Sequence, residues 1–204
     1  MVARQETSQG SGTAGTPPEF AAAVESLRTA AFRPEVFCEE MPAPQRIAPY
    51  ATALSADVTV DDDEVATGRL VVLHDPAGND AWEGTFRCVA YCRAEIDHDL
   101  ATDPMLADVG WTWLTDALDA HGAENVAVSG TVTRVATESF GTMAGEPGSA
   151  QLEIRASWTP VDPGDLATHA EAWGELLCTA GGLEPVPEGV AVMPSRRGQR
   201  GGAG

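Results

Sequence analysis

Nonpolar side chains recur at every second position over 82–96. Trp82, Phe86, Cys88, Ala90, Cys92, Ala94 and Ile96 share one parity with Gly84, while Glu83, Thr85, Arg87, Arg93 and Glu95 take the other. An extended chain points successive side chains to opposite faces, so this pattern predicts a long strand with one face on a core and one largely wet. Val89 and Tyr91 interrupt the wet face, which points to partial cover or a contact there. The alternation returns over 151–159, with Leu152, Ile154, Ala156 and Trp158 inward, Glu153, Arg155 and Ser157 outward, and Pro160 as the stop. Shorter runs predict strands over 33–40 (Val36 and Cys38 on one face), 50–60, 68–74 and 125–137. In the last, Val126, Val128, Gly130 and Val132 share the inward parity.

A second period, near 3.6, marks three helices. Over 19–31 the stripe is Phe20, Val24, Leu27 and Ala31; over 165–180 it is Leu166, Ala170, Trp173, Leu177 and Ala180, ended by Gly181-Gly182. Between them, Asp103-Pro104 has the form of a cap followed by a first-turn proline, opening a helix to about His121. Its apolar face is Leu106, Val109, Trp113, Leu114 and Ala117, and Trp111 lies about 100° from the centre of that stripe. Pro42, Pro44 and Pro49 make 41–49 a rigid connection, Asp61 to Glu64 reads as a solvated acidic turn, and Asp75 to Asp80 has turn chemistry. A glycine-rich loop over 139–149 carries Phe140 and Met143. The order is α-ββββ-α-ββ-α. Strands apolar on one face only argue for an α+β fold, a mostly antiparallel sheet of five to six strands with three helices packed on one face. One domain is expected over 19–183, with a disordered segment 1–18 and a flexible tail 184–204.

Charge narrows the function classes. The 204 residues carry 31 acidic side chains against 12 arginines and no lysine, for a net charge of −19. Between 19 and 193 there are 30 acids and 8 arginines, a net of −22. Such a body repels a nucleic-acid backbone and an anionic membrane. No stretch approaches the roughly 20 apolar residues of a spanning helix, and the first residues lack an apolar signal region. A cytoplasmic protein is expected, with Cys38, Cys88, Cys92 and Cys178 reduced; Cys88 and Cys92, four apart on a strand, are too distant to bridge.

Candidate chemistry is sparse. Asp97-His98-Asp99 with Asp103 is the densest group of ligand types, but a calcium loop starting at Asp97 would need an oxygen at Ala101 and glycine at Thr102. A strand exit and a helix cap account for these residues. His74, His121 and His169 stand in unrelated contexts. No nucleophile elbow occurs, and a lysine-bearing phosphate loop cannot exist in this chain. No catalytic residue, metal or cofactor is therefore expected. Arg69, Arg87, Arg93, Arg134 and Arg155 all fall in strands. They form either a lattice of cross-strand ion pairs with Glu83, Glu95 and Glu153, or a surface whose forked donors take carboxylates of a partner. Arg46 stands in the proline-rich connection.

The segments RPEV (33–36), APQRIAPY (43–50), GRLVVLHDPAG (68–78), WEGTFR (82–87), SGTVTR (129–134) and EIRASWTP (153–160) resemble an uncharacterised actinobacterial family of about 200 residues, a domain of unknown function, over roughly 19–182. That resemblance implies a cytoplasmic protein and assigns no activity. The element order alone is similar to type III secretion chaperones. Together these readings give a non-catalytic protein-interaction or adaptor module, with an unknown protein partner or a second copy of the chain. Its contact candidates are Arg46, Arg87, Tyr91, Arg93, Trp111, Phe140 and Met143. The alternative is a small-molecule-binding protein with a pocket between sheet and helices.

Overall fold

The computed structural model describes residues 15–145 and 147–184. Most of the two terminal segments expected to be loose, 1–14 and 185–204, lies outside the described residues. Helix α1 (Pro18–Arg28) leads into β1 (Val36–Met41), β2 (Tyr50–Val60), β3 (Asp63–Asn79) and β4 (Gly84–Ile96). A one-turn helix α2 (His98–Ala101) precedes α3 (Leu106–Ala120), followed by β5 (Asn125–Thr137), β6 (Ser149–Pro160) and α4 (Leu166–Ala180). This is the α+β order read from the pattern, with α2 added. The six strands form one antiparallel sheet in the order β1-β2-β3-β4-β6-β5. The last strand in sequence is thus inserted between the two that precede it.

The core lies between one face of this sheet and the helices. Ala56, Val58, Leu70, Val72, Phe86, Cys88, Leu152 and Ile154 are buried there against Phe20, Leu27, Leu114, Trp173 and Leu177. Helix α4 touches α1 and α3 as well as β3 and β4, and so occupies the middle of the helical layer. Ten of its fifteen residues are buried, including the whole expected stripe. Gly68 of β3 permits its close approach. A Cβ there would stand 2.6 Å from Leu177 Cδ2 and 2.8 Å from the Tyr91 carbonyl oxygen. The Trp173 indole N–H donates to that same carbonyl at 3.2 Å.

Several local expectations are corrected. The helix expected from 103 begins at Leu106; Asp103 instead accepts the Met105 N–H at 2.8 Å in the turn before it. Its buried face includes Gly110 and Leu118 while Val109 is exposed, because the glycine turns toward Leu152 and Val132 of the sheet. Strand β3 starts five residues early, at Asp63, since Asp61 and Asp62 alone make the hairpin turn with φ of 51° and 72°. It also runs on through Asp75–Asn79, where three extra residues form an irregularity between the His74–Phe86 and Asn79–Gly84 pairs. Trp82 lies in the following turn rather than in β4. Val126 and Val128, expected inside, are exposed because β5 is the outermost strand.

The crowding at Gly68 makes a direct test. Gly68→Ala is expected to destabilise the fold by about 1–3 kcal/mol, because the added methyl meets backbone as well as side chain. The change would register as a lower urea midpoint at unchanged slope.

Candidate interaction surface

Side chains of the parity opposite to the core form the second face of the sheet, open around Arg69, Tyr91, Arg93 and Val89 and closed toward Ala53, Leu73 and Arg87, which are buried. Strand register arranges them in rows. Arg69, Tyr91, Arg155 and Thr131 are successive partners across β3, β4, β6 and β5, and Thr67, Arg93, Glu153 and Thr133 form the next row. On the other side of the Tyr91 row lie Val71, Val89, Ser157 and Ser129. Strands sit about 4.8 Å apart, so Arg69 and Arg155 flank Tyr91 with backbones about 10 Å from each other. The Arg155 guanidinium lies 5.3 Å from the Tyr91 ring centroid and donates to Glu153 Oε2 at 2.8 Å. The Tyr91 hydroxyl donates to Glu153 Oε1 at 3.1 Å. Burial, supported by that carboxylate, pushes the Tyr91 phenol above its ordinary pKa.

The expected lattice of ion pairs does not form. Among the described residues, Arg155–Glu153 is the only ion pair involving the strand arginines; Arg69 and Arg93 have none, although Glu153 stands directly across from Arg93 in the register. Arg134 is absent from this face. It reaches under the sheet edge to the carbonyls of Ala101 and Asp103.

Arg87 shares the parity of the open face but is only 7% exposed. Its guanidinium donates to the Ala127 carbonyl at 2.9 Å, the Ser157 hydroxyl at 2.7 Å and carbonyl at 3.2 Å, the Thr159 hydroxyl at 3.2 Å and the Ser129 hydroxyl at 3.3 Å. One side chain thereby ties β4 to β6 and β5, with no carboxylate among its partners. The Ala127 carbonyl belongs to a bulge in β5, where Ala127 holds a φ of 51°. Arg87 is thus an internal brace, not the contact residue expected from its parity, and its burial lowers the guanidinium pKa. Arg87→Met is expected to lower unfolding free energy by about 3 kcal/mol or more, since several buried acceptors lose their donor at once. Hydrogen exchange would rise first in 125–130.

The other sequence candidates scatter. Trp111 is half-buried on the helical side over Gly130, where a Cβ would come within 2.7 Å of the indole. Phe140 and Met143 are exposed in the β5–β6 loop, at 75% and 52%, and Arg46 is exposed in the β1–β2 connection with a φ of 71°. Of the proposed set, only Arg87, Tyr91 and Arg93 share the face. Arg69, Arg155, Glu153 and Val71 belong with them; strand parity puts each on this face, and the pairing of β3, β4 and β6 makes them neighbours.

The ligand-type residues of 97–103 do not converge. The His98 ring lies against Gly148, and no group of three or more His, Cys, Asp or Glu side chains is placed to hold a metal among the described residues. An open depression of about 590 Å³ at the end of α3 is lined by Leu118, Asp119, Gly122, Ala123, Glu124, Asn125 and Val161. Its lining comes from the end of α3, the turn into β5 and the residue that follows β6.

Two histidines are buried. His74 stacks on Phe86 with centroids 4.1 Å apart, places Nδ1 3.0 Å from the Thr85 carbonyl and Nε2 3.0 Å from Glu19 of α1, off the line of a hydrogen bond. His169 accepts the Trp158 indole N–H on Nδ1 at 3.0 Å, and burial lowers its pKa to about 4. The unfolded imidazole titrates near 6.5, so the stability linked to the neutral ring is complete above that pH. It is lost as pH falls toward 4, by about 3 kcal/mol in all. Denaturant melts at pH 7, 5.5 and 4 would show this fall in the native chain and a smaller one in His169→Gln. The thiols of Cys88, Cys92 and Cys178 are pushed up to about 12 by burial and are poor nucleophiles.

The fold and face define an α+β protein with a one-sided helical layer and an unroofed, arginine-bearing sheet. The chain belongs to the DUF3000 family, described as proteins of unknown function, with the match covering residues 16–191. No curated protein and no solved structure gives a significant match, so the likeness of element order to secretion chaperones finds no support. No helix among the described residues is long and apolar enough to cross a membrane.

Proposed function

We propose that this chain is a non-catalytic protein-interaction module that meets its partner through the unroofed face of the sheet. One observation carries the reading: Arg69, Tyr91, Arg93 and Arg155 stand together on a face that no helix covers, beside Val71 and the exposed Val89. Arginine and tyrosine anchors next to apolar side chains are the composition of energetically dominant contact patches. The face carries Arg69, Arg87, Arg93 and Arg155 against Glu39, Asp57, Glu64, Glu95 and Glu153, four positive charges to five negative, in a chain of net −19. It is a surface on which a protein partner, or a second copy, meets little of the repulsion carried by the rest. We take the setting to be the cytoplasm, where the four thiols stay reduced.

Affinity capture from native extract tests the reading, with Arg69→Gln/Arg93→Gln and an Asp116→Ala control on the exposed side of α3. Neither arginine has an ion pair to lose among the described residues, so the double variant is expected to melt as the parent does while its specific partner signal drops more than tenfold. Equal capture by parent and double variant would remove the face from consideration.

A further inference from the structure

We propose that the partner presents an extended acidic segment whose carboxylates are taken by Arg69, Arg93 and Arg155, a reading that rests on the face being the contact surface. The chain contains 31 carboxylate side chains for 12 guanidinium groups, more than two for each. Away from this face that surplus is used at two of the four described arginines, while Arg46 and Arg134 have no ion pair among the described residues. Arg28 pairs with Glu25 and Glu40, and Arg33 with Glu35 and Glu175, all within 4 Å. On the open face, Arg69 and Arg93 have no ion pair among the described residues, and Arg155 shares Glu153 with the Tyr91 hydroxyl. In so acidic a chain, two neighbouring guanidinium groups without carboxylates leave donors free for carboxylates from outside. Arg155 is also pre-positioned, held over Tyr91 and from one side by Glu153.

The spacing sets the form of the ligand. Along β4 the rows follow at every second residue: Arg93, then Tyr91 between Arg69 and Arg155, then Val89 beside Val71. Each step is about 6.6 Å, the repeat of same-side residues in an extended segment. An occupant lying along β4 therefore offers a carboxylate to the Arg93 row, a second two residues on to Arg69 and Arg155, and an apolar side chain two further on to Val71 and Val89. Forked guanidinium donors match carboxylates two bonds at a time. A polyanion fits worse. A nucleic acid brings a charge every few ångströms against Asp57, Glu95 and the net charge of the chain, whereas a segment with two carboxylates does not.

The probe is a fluorescein-labelled decapeptide of two Glu-Ser-Glu-Ser-Leu repeats, read by anisotropy with the full chain at low salt. The Glu peptide is expected to bind, its Gln counterpart at least tenfold more weakly, and a ten-nucleotide oligothymidine not at all. Arg69→Gln/Arg93→Gln is expected to lose at least tenfold in affinity with unchanged melting, and amide shifts should centre on 69, 89, 91, 93 and 155. Absence of Glu-peptide binding, equal binding of the Gln peptide, or preference for the oligonucleotide would overturn the inference. If captured partner signal still depends on Arg69 and Arg93 when the peptide fails, the interaction surface stands and its acidic ligand falls.

Discussion

The contact on which the rest of the molecule depends is the seating of α4 on β3 and β4 at Gly68. Because position 68 lacks a side chain, Leu177 and Trp173 come down onto the backbone, and the Trp173 indole bonds the Tyr91 carbonyl. The helical layer is organised around α4, with α1 and α3 on either side. The same contact reaches through the sheet. Gly68 precedes Arg69, and the carbonyl that Trp173 holds belongs to Tyr91, so the helix fixes from behind two of the three strands that display the open-face patch. A contact surface made of long, flexible arginines gains from such a rigid base, since less freedom is lost when they bind.

A second constraint operates at the sheet margin. Strand β5 is the outermost, and its bulge at Ala127 carries a backbone conformation that a residue with a Cβ resists. Arg87, two strands away, reaches across β6 to that carbonyl and to three hydroxyl groups on the way. Taking a guanidinium out of water without a carboxylate is unfavourable, and a full set of neutral acceptors is what offsets it. The brace also separates the arginines of this face by role. Arg87 is occupied internally, while Arg69 and Arg93 remain available.

Much of this fold was legible in the sequence because two-residue and 3.6-residue periods report which face of an element is apolar. Strands β4 and β6 and the stripe of α4 are cases in which that signal is undiluted. Parity assigns faces, however, and says nothing about neighbours. It could not place β6 between β4 and β5, nor show that the edge position of β5 would leave Val126 and Val128 in water. Arg87 was misread for the same reason: its outward parity is correct, but β6 and the bulged β5 supply acceptors that close over it. At 75–79 the turn chemistry was real and was built into an irregular strand end, with the Ala77 N–H bonded to Asp75 Oδ1 at 3.0 Å. The candidate site was half visible. Tyr91 and Arg93 stood out on a wet face, whereas gathering Arg69 and Arg155 beside them required the pairing of three strands.

The insertion of β6 between β4 and β5 has a consequence for biosynthesis. As the polypeptide leaves the ribosome, β1 to β4 can zip in succession, but β5 emerges with no neighbour to join. Its ladder partner follows only after the 138–148 loop, and the helix that seals the core comes later still. Closure of the sheet is therefore deferred until β6 and α4 have been made, and long-range pairing of this kind is slow to form. Until then the outer edge of β4 is an unsatisfied ladder, and this interval is when the nascent protein most needs shielding from other chains.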